Sequence, residues 1–149
     1  MMRLYLDLCC FNRPFDDQGQ TRVRLETDAK LELQAHVGSR QVELIWSYAL
    51  DYENAQNPFA DRRESIARWR GMASHRVQET EATRLLARQL ADAGIKPYDA
   101  LHAACAVAGQ ATLFVSTDDA LLKRLKASSS LKAVLPGEAL AIVENWYED

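Results

Sequence analysis

Short apolar runs separated by amphipathic stretches predict alternating strands and helices along this chain. Runs of β-forming apolar residues cover 3–6, 42–47 and 111–116, and each has the length of a buried strand. One more short strand and a tail helix are expected within 132–143. The stretch "NRPFDDQGQ" at 12–20 is rich in turn formers and predicts a loop.

Helical spacing of apolar residues and helix-capping signals mark the stretches between the strands. Ser47 and Asp61 are expected to cap helix N-termini, and Pro97 suits a first turn. Gly94 and Gly109 are expected to end helices. The predicted helices cover 21–37, 47–56, 61–73, 79–94, 96–109 and 118–127.

Two of these helices are expected to differ in burial. The helix over 21–37 carries so many charged residues that it is predicted to be mostly exposed. The helix over 96–109 is the most apolar, and its predicted buried face consists of Leu101, Ala104, Cys105 and Ala108. The two tryptophans expected to pack in the core are Trp46 and Trp69.

Strands that alternate with helices imply a parallel sheet covered by helices on both faces. The chain has 149 residues and no internal repeat or long linker, so we expect a single domain over 1–149. In such folds, ligands bind beyond the carboxyl ends of the strands.

Composition narrows the class of protein. Hydrophobic residues make up 48% and charged residues 26%, which is ordinary for a globular protein. No apolar run approaches the ~18 residues of a membrane span, and Asp7 interrupts the first apolar stretch, so no leader peptide is predicted and a cytoplasmic location is expected. The net charge of -3 does not indicate a nucleic-acid binder, but an acidic metal centre with a basic rim would give the same total.

The three cysteines, Cys9, Cys10 and Cys105, are predicted to be small buried hydrophobes. An odd number in a domain of this size is a poor disulfide framework. A structural zinc site needs about four Cys or His ligands in paired spacings, and the histidines fall in no such spacing.

Acidic residues follow the predicted strands. Asp7 comes directly after the first strand, Asp118 and Asp119 follow the strand at 111–116, Asp99 lies in a first helical turn, and Glu53 lies six residues beyond Ser47. The carboxyl ends of parallel strands share one edge of the sheet, so these acids are expected to converge there, with Asp7 and Asp118 half-buried. Gathered carboxylates repel one another, and a hard cation such as Mg²⁺ or Mn²⁺ relieves that repulsion. Acids at helix N-termini are also common caps, so both interpretations stay open.

Four motifs together resemble the PIN-domain family, of the kind found among VapC-like toxins. They are "MRLYLDLCCFNRPFDDQ", "SYALDYENAQNP", "KPYDALHAACA" and "LFVSTDD", in the family's order along nearly the whole chain. The resemblance implies a three-layer α/β/α Rossmann-like fold with a mainly parallel central sheet. It also implies a metal-dependent ribonuclease that attacks RNA with a metal-activated water.

The resemblance assigns the catalytic acids as Asp7, Glu53, Asp99 and Asp118. It implies that Mg²⁺ or Mn²⁺ is bound mainly by Asp7, Asp99 and Asp118, with Glu53 binding metal or orienting the water. Asp119 competes for the last place, and Asp118 is favoured because it comes two residues after Ser116. A VapC-like toxin of a type II toxin–antitoxin system would have a small antitoxin as partner and would form a homodimer.

One position departs from the family pattern. The family often has Ser or Thr right after the first aspartate, whereas this chain has Leu8. The alternative function is therefore a catalytically impaired PIN-fold module that binds RNA or protein. A dehalogenase-type phosphatase needs an Asp-x-Asp after the first strand, and Cys9 stands at the second Asp.

Two further residues have two interpretations each. Arg13 either contacts phosphate near the acidic edge or belongs to a structural turn. His102, one turn beyond Asp99, is expected to pack, with contact to the acidic site as the alternative.

Overall fold

A five-stranded parallel sheet forms the centre of the computed structural model, which describes residues 1–147. The strand order is β3-β2-β1-β4-β5, so β1 lies in the middle of the sheet. The strands are β1 (Arg3–Leu6), β2 (Glu43–Ser47), β3 (His75–Val77), β4 (Leu113–Val115) and β5 (Ala133–Val134). The expected α/β fold with a parallel central sheet is confirmed.

Helices flank the sheet and complete the three-layer architecture. Helices α2 and α8 pack together, as do α5 and α6. The helices are α1 (Leu8–Asn12), α2 (Thr21–Gly38), α3 (Tyr48–Ala55), α4 (Ala60–Ala67), α5 (Glu81–Asp92), α6 (Pro97–Ala108), α7 (Asp119–Ser128) and α8 (Pro136–Val143). Within residues 1–147, none of them combines the length and the apolarity that crossing a membrane requires.

The core strands are apolar because both faces of the sheet are covered. In β1, Leu4, Tyr5 and Leu6 are fully buried, and Leu4 pairs in register with Leu44 of β2 and with Leu113 of β4. Trp46 is buried as expected, while Trp69 is partly buried against the core. Because β1 is the central strand, the residue that follows it, Asp7, lies in the middle of the carboxyl edge.

The structure differs from the predicted elements in one strand, one helix and one loop. Strand β3 was not predicted, because "HRV" has no apolar run and its residues stay partly exposed at the edge of the sheet. The expected helix over 61–73 divides into α4 and a 3-10 turn (Arg68–Met72), and it begins after Phe59 rather than Asp61. The predicted loop at 12–20 begins with the end of α1 and a 3-10 turn over Arg13–Phe15.

The burial of two helices also differs from expectation. Helix α2 has a substantial buried face, which includes Val23 and Leu33 but also the polar Glu26 and Lys30. The Lys30 ammonium lies 5.4 Å from the centroid of the Phe11 ring, and burial lowers its pKa to about 8. In α6, Ala104 and Cys105 are buried as predicted, but Leu101 is only half-buried and Ala108 is exposed. Hydrophobic periodicity cannot predict the burial of a polar residue, because that burial depends on a specific partner elsewhere in the chain.

Candidate active site

Asp7 stands where β1 ends and is buried, with only 5% of its surface exposed. Its Oδ1 accepts a hydrogen bond from the Leu8 amide at 2.8 Å, which caps α1. Its Oδ2 accepts from the Ser116 hydroxyl at 3.0 Å, and Ser116 directly follows β4. The carboxylate is therefore fixed between the ends of two adjacent strands.

Glu53 and His102 meet Asp7 from two helices. Ligand atoms of these three residues lie within 4.8 Å of one another. His102 Nε2 is 3.1 Å from Glu53 Oε1 and 3.8 Å from Asp7 Oδ1. The imidazole is fully buried, as expected for packing, but it also contacts the acids, so the alternative interpretation of His102 is the one observed.

A buried hydrogen-bonded chain holds His102 in place. Its Nδ1 lies 2.6 Å from the Tyr5 hydroxyl, which in turn lies 2.6 Å from Ser47 Oγ. Ser47 caps α3, as predicted, by accepting from the Leu50 amide at 3.3 Å. Because Glu53 lies on α3, the same helix is connected to the imidazole at both of its nitrogens.

The electrostatic balance of the cluster is negative. Burial alone would lower the pKa of His102, but the hydrogen bond to Glu53 and the charge of Asp7 outweigh it and raise the pKa. A protonated imidazole would thus act as an internal counter-ion to the two carboxylates.

The pKa of Asp99 is also shifted by its surroundings. It lies half-buried in the first turn of α6, and burial raises its pKa from 3.8 to about 6. The charges of Asp7 and Asp118 add to this shift, so both lie within electrostatic reach of Asp99. Burial is the main cause of the raised pKa, and the neighbouring carboxylates increase it further.

Asp118 and Asp119 have different surroundings. Asp118 caps α7, with Oδ1 accepting from the Leu121 amide at 3.1 Å, and its own amide donates to Ser116 Oγ at 3.2 Å. The expectation that Asp118 is half-buried is wrong: it is exposed, because its cap position lies at the rim. Asp119 is held by Arg22 of α2 at 2.7 Å, and this ion pair lowers its pKa.

Cys9 is a contact of the site that the sequence did not indicate. Its Sγ lies 3.5 Å from Asp7 Oδ2 and 3.3 Å from Ser116 Oγ, and the Thr117 amide donates to it at 3.4 Å. Cys10 and Cys105 are buried as predicted, whereas Cys9 is only partly buried. Helix α1, which was not predicted from the sequence, turns the second residue after Asp7 back toward β4.

Of the two roles considered for Arg13, phosphate contact and a structural turn, the structure shows the structural one. Its guanidinium donates to Glu26 of α2 at 3.0 Å through Nε and to Asp16 at 3.0 Å through Nη1. Two carboxylates therefore neutralise it within the fold.

The residues of this edge fit a divalent cation. Asp7 and Glu53 offer closely spaced carboxylate oxygens, whereas both nitrogens of His102 are already engaged by Tyr5 and Glu53, so the imidazole positions these acids. Asp99 and Asp118 lie around them without joining the set within 4.8 Å. Carboxylate oxygens are preferred by Mg²⁺ and Mn²⁺, and the raised pKa of Asp99 marks charge that a cation would neutralise. Such a centre can activate water for attack on a phosphate ester.

Comparison with known proteins points to one family. A family model described as PIN domain matches residues 5–127. Among solved structures, a chain of the crystal structure of VapBC2 from Rickettsia felis, bound to a DNA fragment from their promoter, has a similar fold. The TM-score is 0.56 at 13% sequence identity, and the match covers 90% of this chain and 98% of that chain. No curated protein matches the sequence.

Proposed function

The chain belongs to the PIN-domain family, and on this basis we propose that it is a metal-dependent endoribonuclease that hydrolyses RNA phosphodiester bonds. The observation that carries the proposal is the set of acids at the carboxyl edge of the sheet, where burial and negative charge raise the pKa of Asp99 to about 6. An apolar or charge-balanced edge would not need a cation.

The proposed metal ligands are Asp7, Asp99 and Asp118, and the proposed ion is Mg²⁺ or Mn²⁺. When bound, the cation would supply an activated water and neutralise charge that develops on the phosphate. Glu53 completes the catalytic set: its Oε1 accepts from His102, which leaves the second oxygen to orient the attacking water. Asp119 is excluded from this set because Arg22 occupies both of its oxygens.

The proposed biological role is the toxin of a type II toxin–antitoxin system, acting in the cytoplasm. The similar fold in the VapBC2 structure supports a small antitoxin protein as a partner. A homodimer is part of the proposal, and the exposed side chains of Leu85 and Tyr98 on the α5–α6 layer are available for such an interface. We propose one PIN-like domain over 1–149, of which 148–149 lie outside the described residues.

Leu8 favours a second function, a PIN-fold module that binds RNA or protein without cleaving. Leu8 is buried and offers no hydroxyl beside Asp7, where the family often has Ser or Thr. This alternative predicts RNA binding without metal-dependent cleavage.

The two functions are separated by a cleavage assay with purified protein and labelled RNA in Mg²⁺ or Mn²⁺. We expect cleavage that EDTA abolishes and that Asp7→Asn and Asp99→Asn each reduce by about 100-fold or more, because each removes a charge that holds the cation. Asp28→Asn, on the exposed face of α2, is the matched control and should cleave like the wild type. Cleavage that survives both EDTA and the Asp7→Asn, Asp99→Asn double substitution would overturn the proposal.

A further inference from the structure

A groove of about 300 Å³ lies directly beside the candidate active site, because Glu53 lines both. Its wall carries three side-chain amides, an exposed aromatic ring and a guanidinium. These residues are Asn12, Gln56, Asn57, Phe59 and Arg62. We call this feature the Phe59 groove.

The aromatic ring of the Phe59 groove is exposed and stacked against a cation. Phe59 is 54% exposed, and the Arg62 guanidinium lies 4.1 Å from its ring centroid. The same guanidinium lies 5.4 Å from the centroid of the Phe15 ring. Contact with two rings restrains the guanidinium, and its N–H groups stay free to donate.

Arg62 is free to meet an anion, unlike Arg13, whose carboxylate partner Asp16 also lines the groove. Within the described residues 1–147, no carboxylate forms an ion pair with Arg62. Arg13, by contrast, is paired with Asp16 and Glu26. The phosphate contact that the sequence suggested for Arg13 is therefore better made by Arg62.

The amides of the groove are suited to the edge of a nucleobase. Asn57 Oδ1 accepts from the Phe59 amide at 3.1 Å, which orients this side chain and leaves its NH₂ group to donate. Side-chain amides carry both donors and acceptors, as base edges do. A bare phosphate site would use the arginine but would have no use for an exposed ring beside three amides.

We propose that the Phe59 groove binds an unpaired nucleobase of the RNA strand whose phosphate lies at the acidic site. The base stacks on the open face of Phe59, Arg62 donates to the adjoining phosphate, and the amides contact the base edge. The inference rests on the proposed nuclease function for the identity of the strand. The bound base must be unpaired, since a base stacked within a duplex cannot enter the groove.

Binding is measured separately from cleavage by placing each substitution in full-length Asp7→Asn protein. Fluorescence anisotropy with a short labelled single-stranded RNA of randomised sequence reports the affinity. Phe59→Ala should weaken binding about tenfold, because base–aromatic stacking is lost, whereas Phe59→Trp should retain it. Arg62→Gln should weaken binding and reduce the slope of log affinity against log salt by about 0.7, the value for one phosphate on a single strand.

Matched controls come from outside the groove. Arg68→Gln changes an exposed arginine of the adjoining 3-10 turn, and Trp146→Ala removes a ring that is 53% exposed. Trp146 donates to Glu144, which pairs with His36 near the end of α2, about 22 Å along the helix axis from Thr21. Both controls should bind RNA like the Asp7→Asn protein, and a duplex of the same RNA should bind equally to the Phe59→Ala and Phe59 forms.

The outcomes distinguish this inference from the proposed function. If the wild type cleaves RNA but Phe59→Ala leaves the affinity unchanged, the base site is wrong and the nuclease stands. If the wild type does not cleave but Phe59→Ala loses affinity while Phe59→Trp keeps it, the base site stands and the nuclease is wrong. If the Asp7→Asn protein binds no single-stranded RNA, the proposed base site is wrong, and a protein partner becomes the remaining candidate for the groove.

Discussion

At the scale of single residues, two titratable side chains of the candidate site have pKa values shifted from the ordinary ones. Burial and the charges of Asp7 and Asp118 raise the pKa of Asp99 to about 6. His102 also has a raised pKa, because the hydrogen bond to Glu53 and the charge of Asp7 outweigh the effect of its burial. The charge of Asp7, at the end of β1, contributes to both shifts.

Asp99→Asn should stabilise the metal-free protein in a pH-dependent way. The folded pKa of Asp99 is about 6 against an ordinary 3.8, so its contribution to stability is fully present below pH 3.8 and is lost as the pH rises through 6. At pH values around 8 the charged Asp99 destabilises the fold, and Asp99→Asn should raise the free energy of unfolding by about 1–2 kcal/mol, a value halved because the carboxyl is partly exposed.

Urea unfolding in EDTA at about pH 8 and about pH 4 measures this effect. The gain should shrink toward zero at the lower pH, and Asp28→Asn should show no comparable change between the two. A gain of the same size at both pH values would contradict the assigned charge effect.

At the scale of elements, helix ends that approach the sheet closely hold the site-bearing helices in place. Helix α6, which carries Asp99 and His102, ends at Gly109. A Cβ at Gly109 would lie 2.9 Å from Cγ2 of Ile45 and 3.2 Å from Cγ2 of Val77. Ile45 is fully buried in β2 and cannot move without moving its neighbours, so a side chain at Gly109 would overpack this contact.

Gly109→Ala should therefore destabilise the protein by about 1–3 kcal/mol through overpacking. A Cβ at Gly38, the last residue of α2, would meet no atom within 4 Å, so Gly38→Ala should be neutral or slightly stabilising. Thermal or urea unfolding of the two variants compares them directly. Equal stabilities would show that β2 relaxes around the added methyl group.

At the scale of the whole molecule, the proposed cation should couple the two halves of the sheet edge. Its proposed ligands come from the ends of β1 and β4 and from the start of α6, which are distant in sequence. A ligand that binds only the folded state stabilises that state by mass action. Ligands that carry raised pKa values must also release protons when a metal binds.

Mn²⁺ at about 100 times its Kd should stabilise the wild type by about 2.7 kcal/mol, which raises the Tm by about 5–10 °C. Calorimetric titration at about pH 6.5 in two buffers of different ionisation enthalpy should show proton release on binding. Asp7→Asn should lose both effects, whereas Asp28→Asn should keep them. An equal rise in Tm for Asp7→Asn would locate the ion elsewhere.

The sequence by itself determined most of the fold and the position of Asp7 at its carboxyl edge. The apolar runs of β1, β2 and β4 predict buried strands, because hydrophobic pattern encodes burial directly. The acids that follow β1 and β4 were predicted to share an edge, because parallel strands end on the same side. These features depend only on local pattern and on the rules of parallel sheets.

Only the tertiary structure decided which partners each polar residue has. Strand β3, the burial of Lys30, and the contacts of Cys9 with Asp7 and Ser116 left no local pattern. The hydrogen bond between Tyr5 and His102 spans 97 positions, and the ion pair between Arg22 and Asp119 also spans 97. Hydrogen bonds and ion pairs depend on the distance and direction between atoms far apart in the chain, and hydrophobic periodicity carries no information about either.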